Sequence, residues 1–145
     1  MSDMIKVTGS CFCGDVKIEG NLAPTKVMAC HCTDCQTFSG APFRAVAIMG
    51  ADDVSISGEP SEYLKVADSG NERIQGFCGH CGSQLYATDT DRTAYMVRTG
   101  CLEQVSELVP VKHIFGKSAA SWVTEIDDHA WAVEGPASEA MNPKD

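Results

Sequence analysis

The sequence predicts a mainly β domain organised around bound metal, and three observations carry that prediction. No long stretch keeps the roughly 3.6-residue apolar period of an amphipathic helix. Many short alternating or apolar segments are instead separated by Gly, Asp and Pro turns. Seven of the eight cysteines fall into three tight groups, Cys11-Phe12-Cys13, Cys30-His31-Cys32-Thr33-Asp34-Cys35 and Cys78-Gly79-His80-Cys81, with Cys101 standing alone. Without a basic region followed by an apolar run at Met1-Ser2-Asp3-Met4-Ile5-Lys6, such spacing suggests metal ligation in a reducing compartment more than disulfides.

In chain order, Val7 to Gly20 reads as a hairpin, with alternation in Val16-Lys17-Ile18-Glu19 and a turn at Gly14-Asp15. A short strand through Val27 and Met28 delivers the cysteine triplet; Gln36-Thr37-Phe38 makes a helical turn ended by Gly40, and Phe43 to Ile48 is a buried strand. Ala51-Asp52-Asp53 turns into Val54-Ser55-Ile56-Ser57-Gly58, and Tyr63-Leu64-Lys65-Val66 repeats the alternation before the reversal at Ser69-Gly70-Asn71. Arg73 to Phe77 leads into the third cysteine group and Gln84 to Ala87 leads out of it. Tyr95 to Arg98 and Val109 to Phe115 are further strands, and Ser118 to Trp122 a helical turn. Phe115 and Trp122 are expected in the core, and the Asp pairs (Asp52-Asp53, Asp89 with Asp91, Asp127-Asp128) are expected as ordinary turns.

One domain over residues 1–135, followed by a flexible tail at 136–145, accounts for the 145 residues. A net charge of −9, with only eleven scattered Lys and Arg, argues against nucleic acid and anionic membrane as partners. No segment approaches the roughly 18 apolar residues of a membrane span, so a soluble cytoplasmic protein is expected. Dimerisation is left open.

On a strand, positions i and i+2 share a face, so Cys11 and Cys13 can aim at one metal. In Cys78-Gly79-His80-Cys81-Gly82 the glycines permit the backbone to fold around that metal, completing a closed four-cysteine structural zinc site. The competing reading of this motif as a thiol–disulfide exchanger requires a helix after the first cysteine, and Gly82-Ser83-Gln84-Leu85-Tyr86 is a poor helix start. Cys30, Cys32 and Cys35 then supply three corners of a second tetrahedron, whose thiolates lie about 3.8 Å apart when bound at about 2.3 Å. Its fourth corner is either open or filled by Cys101, His31, His80 or His113. An open corner is the mark of zinc that does chemistry.

Three thiolates leave bound Zn²⁺ with net negative charge, a weaker Lewis acid than zinc on three histidines. Binding a soft exogenous thiol suits it better than hydrolysis, and the reaction class implied is reversible carbon–sulfur bond formation at an aldehyde. Arg44, on the strand after the triplet, is the first candidate to bind an anionic substrate. His113 is a candidate proton donor near the reacting carbonyl.

Several ordered motifs carry a resemblance to a known family: Gly9-Ser10-Cys11-Phe12-Cys13-Gly14-Asp15-Val16, then Cys30-His31-Cys32-Thr33-Asp34-Cys35 with Gly40, then Phe77-Cys78-Gly79-His80-Cys81-Gly82-Ser83-Gln84-Leu85, His113-Ile114-Phe115 and Ser118-Ala119-Ala120-Ser121-Trp122. Up to about Gly135 the chain resembles the glutathione-dependent formaldehyde-activating enzymes, a family that includes centromere protein V. The resemblance implies a β-tent fold of several small antiparallel sheets around zinc, shared with a zinc-binding Rab exchange factor. It implies structural zinc on Cys11, Cys13, Cys78 and Cys81, catalytic zinc on Cys30, Cys32 and Cys35, and a carbon–sulfur lyase that makes S-hydroxymethylglutathione from glutathione and formaldehyde. The alternative is a non-catalytic module with two structural zincs that binds a protein partner.

Overall fold

The computed structural model describes residues 3–145. The chain opens as an antiparallel hairpin of β1 (Ile5–Ser10) and β2 (Lys17–Leu22), followed by β3 (Val27–Cys30) and one seven-residue helix, α1 (Thr33–Ser39). Next come β4 (Arg44–Gly50), β5 (Val54–Ser57), β6 (Ser61–Val66), β7 (Glu72–Phe77), β8 (Gln84–Asp89) and β9 (Ala94–Arg98). The chain closes with β10 (Lys112–Ile114), β11 (Trp131–Ala132) and β12 (Ala140–Met141). Among the described residues these strands form three sheets: β1-β2-β5, the seven-stranded β10-β3-β4-β9-β8-β7-β6, and β11-β12. The mainly β expectation holds. Pairing is antiparallel except between β10 and β3, which run parallel.

The core lies between the three-stranded sheet and one face of the large sheet. Val7, Ile18 and Leu22 from the first meet Val27, Ala47, Tyr86 and Val97 from the second, all buried. Each such aliphatic side chain contributes roughly 1.5–3 kcal/mol by leaving water. Because side chains alternate across a strand, the opposite face of the large sheet carries Met28, Cys30, Arg44, Val46, Ile48, Met96, Arg98, Ala87, Gln75, Arg73 and Lys65, which are cross-strand partners or their i+2 neighbours. That second face positions the site.

Four local expectations change. The helical turn read at Gln36 to Phe38 begins earlier, at Thr33, because Cys32 caps it; Gly40 ends it in the left-handed region at φ 63°. The strand read over Val109 to Phe115 shortens to β10, since Pro110 has no N–H to offer and Phe115 turns to φ 54°. The helical turn read at Ser118 to Trp122 is replaced by two 3₁₀ turns, Gly116–Ser118 and Val123–Asp128. Beyond β10 the chain leaves the core, so Phe115 and Trp122 are 55% and 42% exposed rather than packed inside.

The segment from 136 onward, expected as a flexible tail, is paired in the structure. β12 returns to β11, and Lys144 Nζ lies 2.7 Å from the Asp127 carboxylate. Asp89 is a turn cap, accepting from the Thr93 amide at 2.8 Å and the Thr93 hydroxyl at 2.8 Å. Among the described residues no helix is long and apolar enough to cross a membrane.

Candidate metal centres

Cys11 follows β1 directly and Cys78 follows β7 directly, so two hairpins present two cysteines each to one point. The Sγ atoms of Cys11, Cys13, Cys78 and Cys81 all lie within 4.8 Å of one another, with Cys11 to Cys13 at 3.6 Å and Cys13 to Cys78 at 3.7 Å. Those separations match the edge of a thiolate tetrahedron, about 3.8 Å. Each hairpin folds as a tight knuckle: Gly14 N–H donates to Cys11 O at 3.1 Å and Gly82 N–H to Cys78 O at 2.8 Å. Both glycines sit at positive φ, 85° and 81°, where a Cβ would be strained.

The knuckles then aim donors at sulfur. Val16 N–H reaches Cys11 Sγ at 3.3 Å and Cys81 N–H reaches Cys78 Sγ at 3.5 Å. The Ser83 hydroxyl, the Ser83 amide and the Cys13 amide hold the Cys81 thiol down to about 5, against burial. A thiol so favoured as thiolate suits a metal ligand. All eight cysteines are free of disulfides.

The second cluster is built from a strand end and a helix start. Cys30 closes β3, Cys32 caps α1, and Cys35 lies in its first turn, so the Cys35 amide donates to Cys32 Sγ at 3.3 Å. Their three sulfurs lie within 4.8 Å of one another, and among the described residues no fourth Cys, His, Asp or Glu joins them. Burial, together with the neighbouring sulfurs of Cys35 and Cys32, pushes the Cys30 thiol up to about 12. Burial works upward on Cys32 also, yet the Cys35 amide and the sulfurs of Cys35 and Cys30 hold it below its ordinary value. One of three crowded thiols thus ionises at the expense of another, and only a cation lets all three be thiolates together. The donor set of each cluster therefore fits a soft divalent metal such as zinc.

Cys101, the rival fourth ligand, stays away from the trio: its Sγ donates to the Arg98 carbonyl at 3.1 Å from a 3₁₀ turn. His31 does not close the site either. It is 2% exposed, and its Nε2 meets His113 Nδ1 at 2.8 Å, while burial and then His113 hold its imidazole below the ordinary range. His80 turns to Asp15, 3.2 Å away, beside the four-cysteine cluster. His113 pairs in register with Ala29, and therefore projects from the face opposite Cys30 and Ile114. The structure does not bring it to the sulfurs of the trio.

Arg44 does reach them. It is only 7% exposed, and its guanidinium donates from Nη2 to Cys35 Sγ at 3.1 Å and from Nη1 to Gln75 Oε1 at 2.8 Å. Its donors are engaged by the ligand and Gln75, and it also lines the hollow beside the trio. Beside Cys30 and Cys35 the sheet face forms a hollow of about 190 Å³, walled by Met28, Val46, Ile48 and Met96 and rimmed by the cations Arg44, Lys65 and Arg73. Lys65 also pairs with Asp34 of α1 at 2.6 Å, clamping the helix over this face. Lys65, Arg73 and Gln75 were not singled out from the sequence. The alternation in Tyr63 to Val66 and Arg73 to Phe77 was the available signal, but only cross-strand register shows that their shared face is the one carrying Cys30.

Residues 6–118 match the protein family described as "Glutathione-dependent formaldehyde-activating enzyme". Among solved structures the chain is similar to a Rhodobacter sphaeroides protein of known crystal structure, with a TM-score of 0.56 and 22% identity over 73% of this chain and 98% of that one. At that identity the likeness speaks for the fold.

Proposed function

Since the chain belongs to the glutathione-dependent formaldehyde-activating enzyme family, we propose that it joins a low-molecular-weight thiol to an aldehyde, with glutathione and formaldehyde as the substrates and S-hydroxymethylglutathione as the product. One observation supports this above the rest: the trio of Cys30, Cys32 and Cys35 has no fourth protein donor among the described residues and borders a hollow with a cationic rim. Cys11, Cys13, Cys78 and Cys81 are assigned to a structural zinc, and the trio to a catalytic one. Cys30, Cys32 and Cys35 would hold that zinc, and the chemistry it would supply is a lowered pKa for an added thiol.

The chain's own residues do the rest. Arg44 orients Cys35 and offsets the negative charge of three thiolates through its N–H···S contact. Met28, Val46, Ile48 and Met96 keep water from the reacting atoms. Arg73 favours an anionic thiol over a neutral one, Lys65 being engaged with Asp34. In the reaction the thiolate sulfur bonds to the aldehyde carbon and the carbonyl π pair moves to oxygen, which takes a proton from water. The thiol's proton goes to water, so the step is redox-neutral. The test is formaldehyde exchange followed by NMR in the presence of zinc-loaded protein and glutathione. Acceleration over the spontaneous reaction is expected, and its loss in Cys32→Ser; a rate equal to the spontaneous one at every glutathione concentration refutes the proposal.

A further inference from the structure

On the far side of Arg44 from the small hollow lies a larger cleft of about 690 Å³, lined by Phe43, Arg44, Ser83, Gln84, Arg98 and Thr99 among others. We infer that Arg98 in this cleft is the anchor for a carboxylate of the thiol substrate, a reading that rests on the proposed function and extends it to substrate selection.

Arg98 is 6% exposed, yet of its five N–H donors only Nη2 has a side-chain acceptor, Gln84 Oε1 at 3.3 Å, and the buried Nε has no partner. Among the described residues no carboxylate lies within ion-pair distance of it, although the chain has twenty Asp and Glu. Where this fold pairs an arginine it does so fully: Arg92 meets both oxygens of Glu62 at 2.7 and 2.6 Å. Glu103, the acidic residue on the cleft wall, accepts from the Thr8 hydroxyl at 3.1 Å. Burial first, and then the Arg44 charge, pull the Arg98 guanidinium down to about 9, against the sulfurs of Cys35 and Cys101, and none of these neighbours is a carboxylate that matches its fork. A buried charge left unpaired is costly, and the planar fork of a guanidinium is matched by a carboxylate.

Position adds the link to the cysteines. Cys30 lies opposite Arg44, and Arg98 lies opposite Val46 on the next strand, all on one face. Two strand spacings and two residues place Cys30 and Arg98 about 12 Å apart at Cα. In a tripeptide thiol whose sulfur sits on the middle residue, an end carboxylate lies roughly two extended residues, about 7 Å, from that residue, and the Arg98 side chain covers the remainder. The thiol's sulfur then lies at the trio while an end carboxylate lies at Arg98.

Calorimetric titration of the zinc-loaded full chain with S-methylglutathione and with its diamide reads carboxylate recognition without any turnover. The acid is expected to bind at least tenfold more tightly than the diamide. Arg98→Ala abolishes the difference, and Arg98→Lys retains part of it. Equal binding of acid and diamide by the unmodified protein overturns the inference, as does a preference that survives Arg98→Ala. Inorganic phosphate that displaces S-methylglutathione at equal concentration also overturns it, by assigning the cleft to a free oxyanion. Should the enzymatic reading fail instead, formaldehyde exchange is absent while the carboxylate preference persists; failure of the anchor alone leaves exchange intact and removes the preference.

Discussion

Serine substitutions at Cys32 and Cys78 should separate the two metal centres. Cys78 belongs to a closed four-sulfur cluster that joins the β1–β2 turn to the β7–β8 turn, and its Sγ also accepts from Cys81 N–H. A structural zinc site of this kind contributes roughly 10–16 kcal/mol to folding, and a domain of this size is stable by roughly 5–15 kcal/mol in total. Losing one of four thiolates therefore removes a share comparable with the whole. Cys78→Ser is expected to unfold near physiological temperature. Cys32 differs because its side chain is the N-cap of α1, accepting from the Cys35 amide. Serine is among the preferred residues at that position, so Cys32→Ser keeps the cap while deleting one of the three sulfurs proposed to hold zinc. The cost to the fold is then below about 1 kcal/mol, a fall in Tm of about 5 °C or less. Thermal unfolding by circular dichroism, with zinc counted by mass spectrometry, gives the answer: Cys32→Ser folded with one zinc equivalent lost, Cys78→Ser unfolded. If the two variants melt alike, the trio is architectural and the division of labour between the clusters is wrong.

Arg44→Ala removes the donor to Cys35 Sγ and leaves Gln75 Oε1 buried without its partner; one of two zinc equivalents should pass to a chromogenic chelator about 10–100-fold faster, and unchanged release of both refutes the positioning role. The Glu62 carboxyl is held below its ordinary 4.5 by hydrogen bonds from Arg92 and, against burial, from Tyr86. A depressed carboxylate contributes stability above its unfolded value and loses it as pH falls through the folded one. The Tm advantage of the unmodified protein over Glu62→Gln, on the order of 1 kcal/mol or less for a partly exposed pair, should therefore be present at pH 7 and shrink below pH 4.5; an advantage that is constant or grows on acidification contradicts this. At Gly76 an added Cβ would stand 2.2 Å from the Tyr86 ring, so Gly76→Ala should lower stability by about 1–3 kcal/mol through overpacking, readable in urea unfolding, and a neutral result refutes that contact.

Local spacing made the cysteine clusters legible. A three-residue step into a helix brings Cys32 beside Cys35 without help from the rest of the molecule, whereas Cys11 and Cys13, read as sharing a strand face, meet instead in the turn that follows β1. Strand alternation was legible for the same reason. What the sequence did not show depends on register. The burial of Arg44 against Gln75 joins β4 to β7 across two intervening strands, and nothing near Arg44 in the chain announces it. His113 failed as a neighbour of the trio by one residue of parity, and that parity exists only once β10 is known to lie beside β3. Phe115 and Trp122 looked like core because they are aromatic, but the core closes before them.

The parallel seat of β10 beside β3 has a consequence for synthesis. β3 carries Cys30 into the trio, and one of its edges is covered only when residues from more than eighty positions later come back to it. While a nascent chain is still emerging from the ribosome, that edge is bare and His31 has no Ile114 carbonyl to bond. The four-sulfur cluster, by contrast, has all its members once Cys81 has cleared the exit tunnel. Sealing of that edge is thereby deferred to the finished polypeptide, and truncation at Pro110 should leave the His31 amide open to fast hydrogen exchange.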